Sequence, residues 1–424
     1  MSEEVKPLEN TADETEFNIW DKTVPVEKSA YLVEDPTFLN YDNLIPPADD
    51  KYTMIDLFCG AGGFAVGCGF AGFASVLGID HFEPAMDTWI YNHPNSFGCL
   101  GDIRVVSPVE MKEMLAAKGI EKIHLLTGGV PCQGFSRANR KHNDFDERNF
   151  LFLEYMKYVK VFQPDYIILE NVSGMRSTAG GKFEEDIIAS MEELGYTTTV
   201  RLINAADFGV PQTRQRLVFV GVKRDAGLAE KFVFPEGEYA DIPDSDQGSF
   251  FTAGKKPYRT VYDAISDLPQ LGNNERADNY VQPAITDYQR LMRGETGTLG
   301  IKKSESLFNH IAPNHPQDTV NKIASTEPGK PMYAKFKQRI RLSFDQPSPT
   351  QLAGGIRPQF QFGHPNQPRG LSIRERARIQ SFPDSYVFKG GTVQERVQTG
   401  NAVPPLMIYA IAKEIATDLD KKYK

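Results

Sequence analysis

Short apolar runs alternate with amphipathic stretches through the first half of the chain. Runs of strand length occupy residues 52–58, 75–79, 123–127, 166–169 and 217–222. Apolar positions at helical spacing between these runs predict helices over 109–118, 149–162 and 183–194. This alternation is typical of a βαβ series, in which helices cover a parallel sheet.

The alternation stops after Val222. The following residues, to about 345, are rich in proline, glycine, asparagine and basic residues and show no clear period. Amphipathic patterns return over 372–381 and 406–421. We therefore predict an N-terminal extension over 1–50, a first domain over 51–225, a smaller irregular domain over 226–380 and a C-terminal return to the first domain over 381–424.

Charge is distributed unevenly along the 424 residues. The formal net charge is −9, but residues 1–50 contain 13 acidic and 3 basic side chains, so residues 51–424 sum to +1. The extension is expected to be a solvated, flexible acidic tail. A nearly neutral body can carry a basic face, so the net charge does not exclude nucleic acid as a partner.

The cysteines and the apolar runs exclude several classes of protein. Cys59, Cys68, Cys99 and Cys132 form no C-x-x-C pair and have no histidine at ligand spacing. This pattern predicts reduced thiols, with no disulfide framework and no metal site. No stretch approaches the roughly 18–20 apolar residues of a membrane helix, and the N-terminus lacks a signal-peptide pattern. We expect a protein that stays inside the cell, without a membrane partner.

A glycine-rich turn follows the first predicted strand. The sequence there is Cys59-Gly60-Ala61-Gly62-Gly63-Phe64, where missing side chains let the backbone approach a ligand closely. Nucleotides bind at such turns in open α/β sheets. Tight packing is the alternative role, and the glycine spacing differs from the dinucleotide fingerprint.

Two acidic residues follow the next two elements. Asp80 comes about 20 residues after the glycines, where a carboxylate can accept hydrogen bonds from ribose hydroxyls. Asp102, in Gly101-Asp102-Ile103, is placed to hold an adenine amino group. Each acid alone would more often cap a turn, but the series after a glycine turn favours an adenosine pocket.

A cysteine and a glutamate follow the fourth and fifth strands. Cys132 lies directly after Pro131 on a loop, and Glu170 directly follows the run 166–169. Parallel strands bring these positions to the same sheet edge as the glycine turn. Since an unpaired buried carboxylate is costly, the location of Glu170 indicates a functional role.

Together these motifs resemble those of the DNA (cytosine-5)-methyltransferase family, in its usual order. The matching segments are 56–63, 131–133, 170–172, 212–216, 347–350, 374–383 and 400–404, and they span residues 52–415. One departure is Val130, where many family members have a second proline. The resemblance implies a Rossmann-like S-adenosylmethionine-dependent methyltransferase core of α/β class with a smaller, irregular target-recognition domain.

The resemblance also implies a chemistry. Cys132 would add as a thiolate to carbon 6 of cytosine, because carbon 5 alone is too weak a nucleophile to take a sulfonium methyl. Glu170 would protonate or hydrogen-bond ring nitrogen 3. Arg214 and Arg216 would lie near the site, with Arg216 contacting the base oxygen or the backbone; a pair that positions a phosphate is the alternative.

The cofactor is expected to be S-adenosyl-L-methionine. Its predicted contacts, from the pattern and the resemblance together, are Asp56, Phe58, Gly60, Gly62, Gly63, Asp80, Asp102, Ile103, Asn401 and Val403. The substrate would be double-stranded DNA, with the target base flipped out of the helix. Candidate DNA contacts in the irregular domain are Lys255, Lys256, Arg259, Arg290, Arg293, Lys302 and Lys303.

Two other functions compete with this hypothesis. An RNA-specific branch of the family methylates tRNA, but it typically carries a Cys-Phe-Thr tripeptide beyond the arginine motif, and no cysteine follows Cys132 here. A DNA-binding protein with a dead site is disfavoured by intact Cys132, Glu170 and Arg216. We expect an enzyme that acts as a monomer on DNA, in the cytoplasm of a prokaryote or the nucleus of a eukaryote, with a cognate restriction endonuclease as a possible partner.

Overall fold

A computed structural model describes residues 35–131, 151–176, 182–242, 254–353 and 360–424. In chain order the strands are β1 (Thr37–Leu39), β2 (Tyr52–Leu57), β3 (Phe73–Asp80), β4 (Phe97–Leu100), β5 (Leu125–Gly129), β6 (Tyr166–Val172), β7 (Tyr196–Asn204), β8 (Gln212–Thr213), β9 (Gln215–Lys223), β10 (Tyr239–Ala240), β11 (Lys256–Pro257), β12 (Ile340–Arg341), β13 (Ser348–Pro349) and β14 (Phe362–Gly363).

The helices confirm the predicted amphipathic segments and add others. They are α1 (Gly63–Phe70), α2 (Glu83–Asn92), α3 (Pro108–Ala117), α4 (Leu151–Phe162), α5 (Lys182–Glu193), α6 (Val261–Ile265), α7 (Asp287–Met292), α8 (Gln317–Ala324), α9 (Ile373–Ile379), α10 (Thr392–Asn401) and α11 (Pro405–Tyr423). Helix α9 begins where Ser372 accepts a hydrogen bond from the Glu375 amide, because the Ser-x-x-Glu sequence forms a capping box.

Eight of these strands form one sheet in the order β1-β4-β3-β2-β5-β6-β9-β7. Strands β2 to β6 pair in parallel, which confirms the predicted α/β core. The run 217–222 was also expected to be parallel, and this was wrong: β9 is antiparallel to both β6 and β7. Strand β7, which the pattern did not predict, leads into β9 through a short connection, and such a connection requires antiparallel pairing.

The two faces of the sheet bury separate apolar clusters. Tyr52 and Met54 of β2 pack with helices α1 and α11, whereas Ile55 and Leu57 pack with helices α3, α4 and α5. Alternate residues of a strand point to opposite faces, so one buried strand supports both layers. This double cover explains why the core strands are almost continuously apolar.

Part of the predicted extension joins the sheet. Residues 37–39 form β1, which pairs antiparallel with β4 at the sheet edge. Leu44 is buried beyond it. The boundary between extension and body therefore lies before residue 37 and not at residue 50, while residues 1–34 lie outside the described ranges.

Buried ion pairs join the irregular region to the C-terminal segment. Arg378 of α9 is fully buried and binds Asp384 and Asp267, the latter following α6. Arg293 donates to the same Asp267 at 2.5 Å and lies over the ring of Tyr280. The structure thus corrects one expectation: Arg293 is a packing residue with 4% exposure and is not available to DNA.

No helix in the described part of the chain is long and apolar enough to cross a membrane. Within the same ranges, no cluster of three or more histidine, cysteine, aspartate or glutamate side chains has the arrangement of a metal site.

Candidate active site

The glycine turn lies at the carboxyl end of β2. Gly60 and Gly62 have φ of 50° and 83°, and Phe58 has φ of 54°, so the backbone bends through the left-handed region here. A Cβ on Gly63 would meet the carbonyl oxygen of Val403 at 2.2 Å. Gly63 is therefore required for the close approach of α1 to the segment before α11.

The space beside this turn is open on one side. A Cβ on Gly60 would meet nothing within 4 Å, whereas Gly62 is closed by Tyr386 and Trp89. The Tyr386 hydroxyl donates to the Ala61 carbonyl at 2.6 Å and fixes the turn from behind. The motifs did not point to Tyr386, although this residue lies only three positions after the 374–383 motif.

The Asp80 carboxylate holds the glycine turn by accepting hydrogen bonds from backbone amides. Its two carboxylate oxygens accept hydrogen bonds from the Gly60 and Phe82 amides at 2.8 and 2.9 Å. Asp80, the predicted ribose contact, therefore lies at the turn. Each of its oxygens can accept a further hydrogen bond, because a carboxylate has about four lone-pair sites.

Asp102 is engaged with its neighbour Arg104. The guanidinium donates to both carboxylate oxygens, at 2.9 and 2.7 Å. Burial opposes ionisation of Asp102, but these charged hydrogen bonds outweigh it and keep the pKa below its ordinary value. Ile103 is buried beside them. Arg104, which the sequence analysis did not consider, therefore sets the orientation of Asp102.

Three of the other predicted cofactor residues differ in accessibility. Asp56 is fully buried under the turn, where Thr127 donates to it at 3.0 Å. This carboxyl has no exposed surface from which it could contact a ligand. Asn401 is exposed at the end of α10, and Val403 packs against Gly63.

Glu170 lies at the end of β6, next to the end of β5. Gly129 is its register partner, and a Cβ on Gly129 would lie 3.4 Å from the Glu170 carboxylate. Asn171 donates to the Val130 carbonyl at 3.2 Å and anchors the chain just before Pro131. Cys132 itself lies outside the described residues, but the chain enters that segment beside Glu170.

Arg216 is the ion-pair partner of Glu170. Its Nε lies 2.7 Å from the carboxylate, and both side chains are about nine-tenths buried. Burial raises the pKa of Glu170, and the positive charges of Arg216 and Arg214 offset this only in part. A glutamate in this environment holds a proton more readily than one in water.

Arg214 has a different role from Arg216. It is buried and donates to the carbonyls of Gln351 and Gly400, each at 3.0 Å. It therefore joins β8, the segment after β13 and the end of α10. The two arginines of the predicted pair therefore differ: Arg216 contacts the Glu170 carboxylate, and Arg214 connects three segments.

The three cysteines within the described ranges are poor nucleophiles. Cys59, Cys68 and Cys99 are all buried. Burial raises the pKa of the Cys99 thiol to about 12, and it raises those of Cys59 and Cys68 well above their ordinary value. Since the thiolate is the reactive form, none of the three is suited to attack.

A family model matches most of the chain. The model described as C-5 cytosine-specific DNA methylase matches residues 52–417. Type II methyltransferase M.AgeI of Thalassovita gelatinovora is 33% identical, with 85% of this chain and 98% of the relative aligned. Type II methyltransferase M.DdeI of Desulfomicrobium norvegicum is also 33% identical, with 86% of this chain and 88% of the relative aligned.

Solved structures agree with this result. A putative DNA modification methyltransferase encoded within a prophage, from E. coli, superimposes with a TM-score of 0.68 at 25% identity and covers 87% of this chain and 99% of its own. The S. pombe Dnmt2 methyltransferase, at 15% identity and a TM-score of 0.53, shares the fold and covers 88% of this chain and 99% of its own. The chain therefore belongs to the C-5 cytosine-specific DNA methylase family and is a DNA (cytosine-5)-methyltransferase.

Proposed function

We propose that this enzyme methylates carbon 5 of a cytosine flipped out of a specific duplex DNA sequence, through a covalent adduct with Cys132. The observation that carries the proposal is the meeting of three adjacent strands at one sheet edge. Strands β2, β5 and β6 end in the glycine turn, the chain before Cys132, and Glu170. This arrangement would bring the nucleophile Cys132, the proton donor Glu170 and the glycine turn that binds the cofactor to one pocket.

The residues at the turn fit S-adenosylmethionine. Open space beside Gly60 leaves room for the cofactor, and carboxylates lie at Asp80, the last residue of β3, and at Asp102, just after β4. Phe58, Gly60, Gly62, Gly63, Ile103, Asn401 and Val403 would complete the contacts, with Asp56 supporting the turn from below. When bound, the cofactor supplies an electrophilic methyl group.

The protein's own residues then account for the remaining steps. The Cys132 thiolate forms a bond to carbon 6 while Glu170 delivers its proton to nitrogen 3, so that the ring electrons reach carbon 5. After methylation a base removes the carbon 5 proton, the carbon 6–sulfur bond breaks to release the Cys132 thiolate, and nitrogen 3 returns its proton to Glu170. Arg216 holds the Glu170 carboxyl at 2.7 Å and neutralises it once the proton has left.

The partners follow from the same reasoning. The base cannot be reached inside a duplex, so double-stranded DNA must deliver it by base flipping. Residues 226–380 would form the target-recognition domain and 381–424 the return to the catalytic domain. The relatives are Type II methyltransferases from bacteria, so we propose a cytoplasmic enzyme, monomeric on DNA, with a cognate restriction endonuclease.

Substitution of Cys132 tests the nucleophile. Cys132→Ala should abolish methyl transfer from labelled cofactor to DNA while cofactor binding persists, whereas the matched control Cys99→Ala should keep activity. Assays on tRNA run in parallel, and methylation of tRNA alone would overturn the choice of substrate. Retained DNA methylation in Cys132→Ala would exclude the covalent mechanism.

Substitution of Glu170 tests the proton donor. Glu170→Gln should lower kcat by roughly 10²–10⁴-fold, because general acid catalysis contributes about that factor. The raised pKa keeps Glu170 protonated to higher pH than an ordinary glutamate, and the wild-type rate should fall as pH rises through that pKa. A pH–rate profile checks this, and an unchanged alkaline limb in Glu170→Gln would contradict the role.

A further inference from the structure

The turn after β4 brings Asp102 beside the glycine turn. The Gly101 amide donates to the Asp80 carbonyl at 3.0 Å, and the Asp80 carboxylate holds the Gly60 amide. Asp102 therefore lies one residue beyond a direct contact with the end of β3. Its side chain is 16% exposed and that of Arg104 is 18% exposed, so part of this pair is accessible from solvent.

Arg104 occupies most of the hydrogen-bonding capacity of the Asp102 carboxylate. Its backbone amide and its Nε both donate to Oδ1, each at 2.9 Å, and its Nη2 donates to Oδ2 at 2.7 Å. A carboxylate has about four lone-pair sites, two on each oxygen. The Oδ1 sites are thus filled, and among the described residues Arg104 Nη2 is the only donor to Oδ2. The remaining acceptor site lies on Oδ2, and the bidentate pair fixes its direction.

The same contacts keep Asp102 in the form that only accepts hydrogen bonds. Burial works against ionisation, but the hydrogen bonds and the charge of Arg104 lower the pKa of Asp102 below its ordinary value. An ionised carboxylate accepts hydrogen bonds and cannot donate them. The site on Oδ2 therefore fits a ligand group that donates a hydrogen, such as an amino group, and disfavours a carbonyl oxygen.

We propose that Arg104 is a positioning residue that makes the cofactor site selective for adenine over hypoxanthine. This role depends on the proposed cofactor and on the contact expected between Asp102 and the adenine amino group. Adenine carries an amino group at ring position 6, whereas hypoxanthine, the base of inosine, carries a carbonyl oxygen there. Arg104 holds both Asp102 oxygens, so that only the Oδ2 site is left to bind the purine.

Analogues of the demethylated cofactor test the selectivity without catalysis. Calorimetry measures the binding of S-adenosylhomocysteine and S-inosylhomocysteine. Wild type should prefer the adenosyl compound by roughly 10- to 150-fold, the range expected for one hydrogen bond to a charged group. Arg104→Gln should reduce this preference by about fivefold or more, mainly by weakening the adenosyl compound.

A surface arginine provides the matched control. Arg201→Gln, at an arginine paired with the exposed Glu236, should keep the wild-type preference. An unchanged preference in Arg104→Gln would overturn the proposal. Equal weakening of both compounds in that variant would overturn it too, because a purely structural role of Arg104 does not distinguish the two bases.

A lysine substitution separates position from charge. Arg104→Lys keeps a positive charge beside Asp102 but lacks the planar fork that holds both carboxylate oxygens. Its preference should therefore stay close to that of Arg104→Gln. A wild-type preference in Arg104→Lys would show that charge alone is sufficient and would contradict the positioning role.

An amide at position 102 tests the direction of the remaining site. In Asp102→Asn the amide oxygen should stay with the Arg104 amide and Nε, because both are donors, and the NH₂ group should take the place of Oδ2. The site then changes from acceptor to donor. This variant should bind S-inosylhomocysteine more tightly than S-adenosylhomocysteine, and a retained preference for the adenosyl compound would count against the contact.

Wild-type binding separates the role of Arg104 from the cofactor assignment itself. Failure of the wild type to bind S-adenosylhomocysteine would refute the proposed cofactor. Tight binding by the wild type, with the same preference in Arg104→Gln and Asp102→Asn, would refute the role of Arg104 and leave the proposed methylation of DNA unaffected.

Discussion

At the scale of single residues, burial without a cationic neighbour favours the protonated form of an acid. Asp56 has no exposed surface, and burial raises its pKa to about 8 although hydrogen bonds from Thr127 and the Ala65 amide lower it. The folded state therefore keeps a proton that the unfolded chain releases near its ordinary pKa of 3.8. The contribution of Asp56 to folding stability is then fully present below the unfolded pKa and decreases as pH rises toward 8.

Asp56→Asn should remove this dependence. Between pH 5 and pH 8 the wild type should lose about 3–4 kcal/mol of unfolding free energy through Asp56, since each unit contributes about 1.4 kcal/mol. The amide variant cannot ionise, and its oxygen still accepts from Thr127. Urea unfolding at both pH values measures the difference. Equal losses in wild type and variant would show that Asp56 is ionised when folded.

At the scale of elements, the irregular region presents one strongly basic segment, which we call the basic loop, residues 330–339. It leads into β12 and carries Lys330, Lys335, Lys337 and Arg339 with no acidic residue. Phe336 is 47% exposed, and Arg339 lies over its ring at 4.8 Å. In contrast, several cations chosen from the sequence pair with nearby carboxylates: Lys256 with Glu238, Arg290 with Asp287 and Lys303 with Glu305.

Lys335 and Lys337 of the basic loop should therefore contribute more to DNA binding than those paired residues. Lys335→Gln/Lys337→Gln should reduce the slope of log K against log salt by about 2, through two lost phosphate contacts. The matched double variant Lys256→Gln/Lys303→Gln, at two lysines paired with carboxylates, should change it less. Salt titrations of both variants decide the order, and the reverse order would favour the contacts expected from sequence alone.

At the scale of the whole molecule, buried ion pairs connect segments far apart in sequence. Asp267 binds Arg293 and Arg378, and Arg378 also binds Asp384. All four side chains are at least nine-tenths buried. Removal of the Asp267 charge would leave Arg293 and Arg378 with too little negative charge nearby, in a region of low dielectric constant.

Asp267→Asn should lower the unfolding free energy by about 3–5 kcal/mol, the usual cost of breaking a buried pair. Asp278→Asn, at the exposed pair with Arg276, should cost less than about 1 kcal/mol. Denaturant unfolding of both proteins gives the comparison. A small effect of Asp267→Asn would mean that solvent or neighbouring groups replace the lost carboxylate.

Much of the core was predictable because its pattern is local. Apolar runs bounded by glycine turns predict the positions of the strands. The functional role expected for Glu170 was inferred from its place at the end of one such run. Strand β7 was missed because its sequence, Tyr-Thr-Thr-Thr-Val-Arg-Leu-Ile-Asn, belongs to a partly exposed edge strand without a strong apolar run. The roles of Arg293 and Arg214 could not be predicted from residue type, because their hydrogen-bond acceptors are distant in sequence. Asp267 lies 26 positions from Arg293, and the two carbonyls that Arg214 binds lie 137 and 186 positions away.

The sequence by itself determined the family, the class of reaction and the order of the motifs, because short segments with fixed spacing carry them. Only the tertiary structure decided which charges face one another. It paired Glu170 with Arg216 and directed Arg214 to two distant carbonyls. Pairing, burial and pKa depend on distances across the fold, and those distances are set by packing rather than by position along the chain.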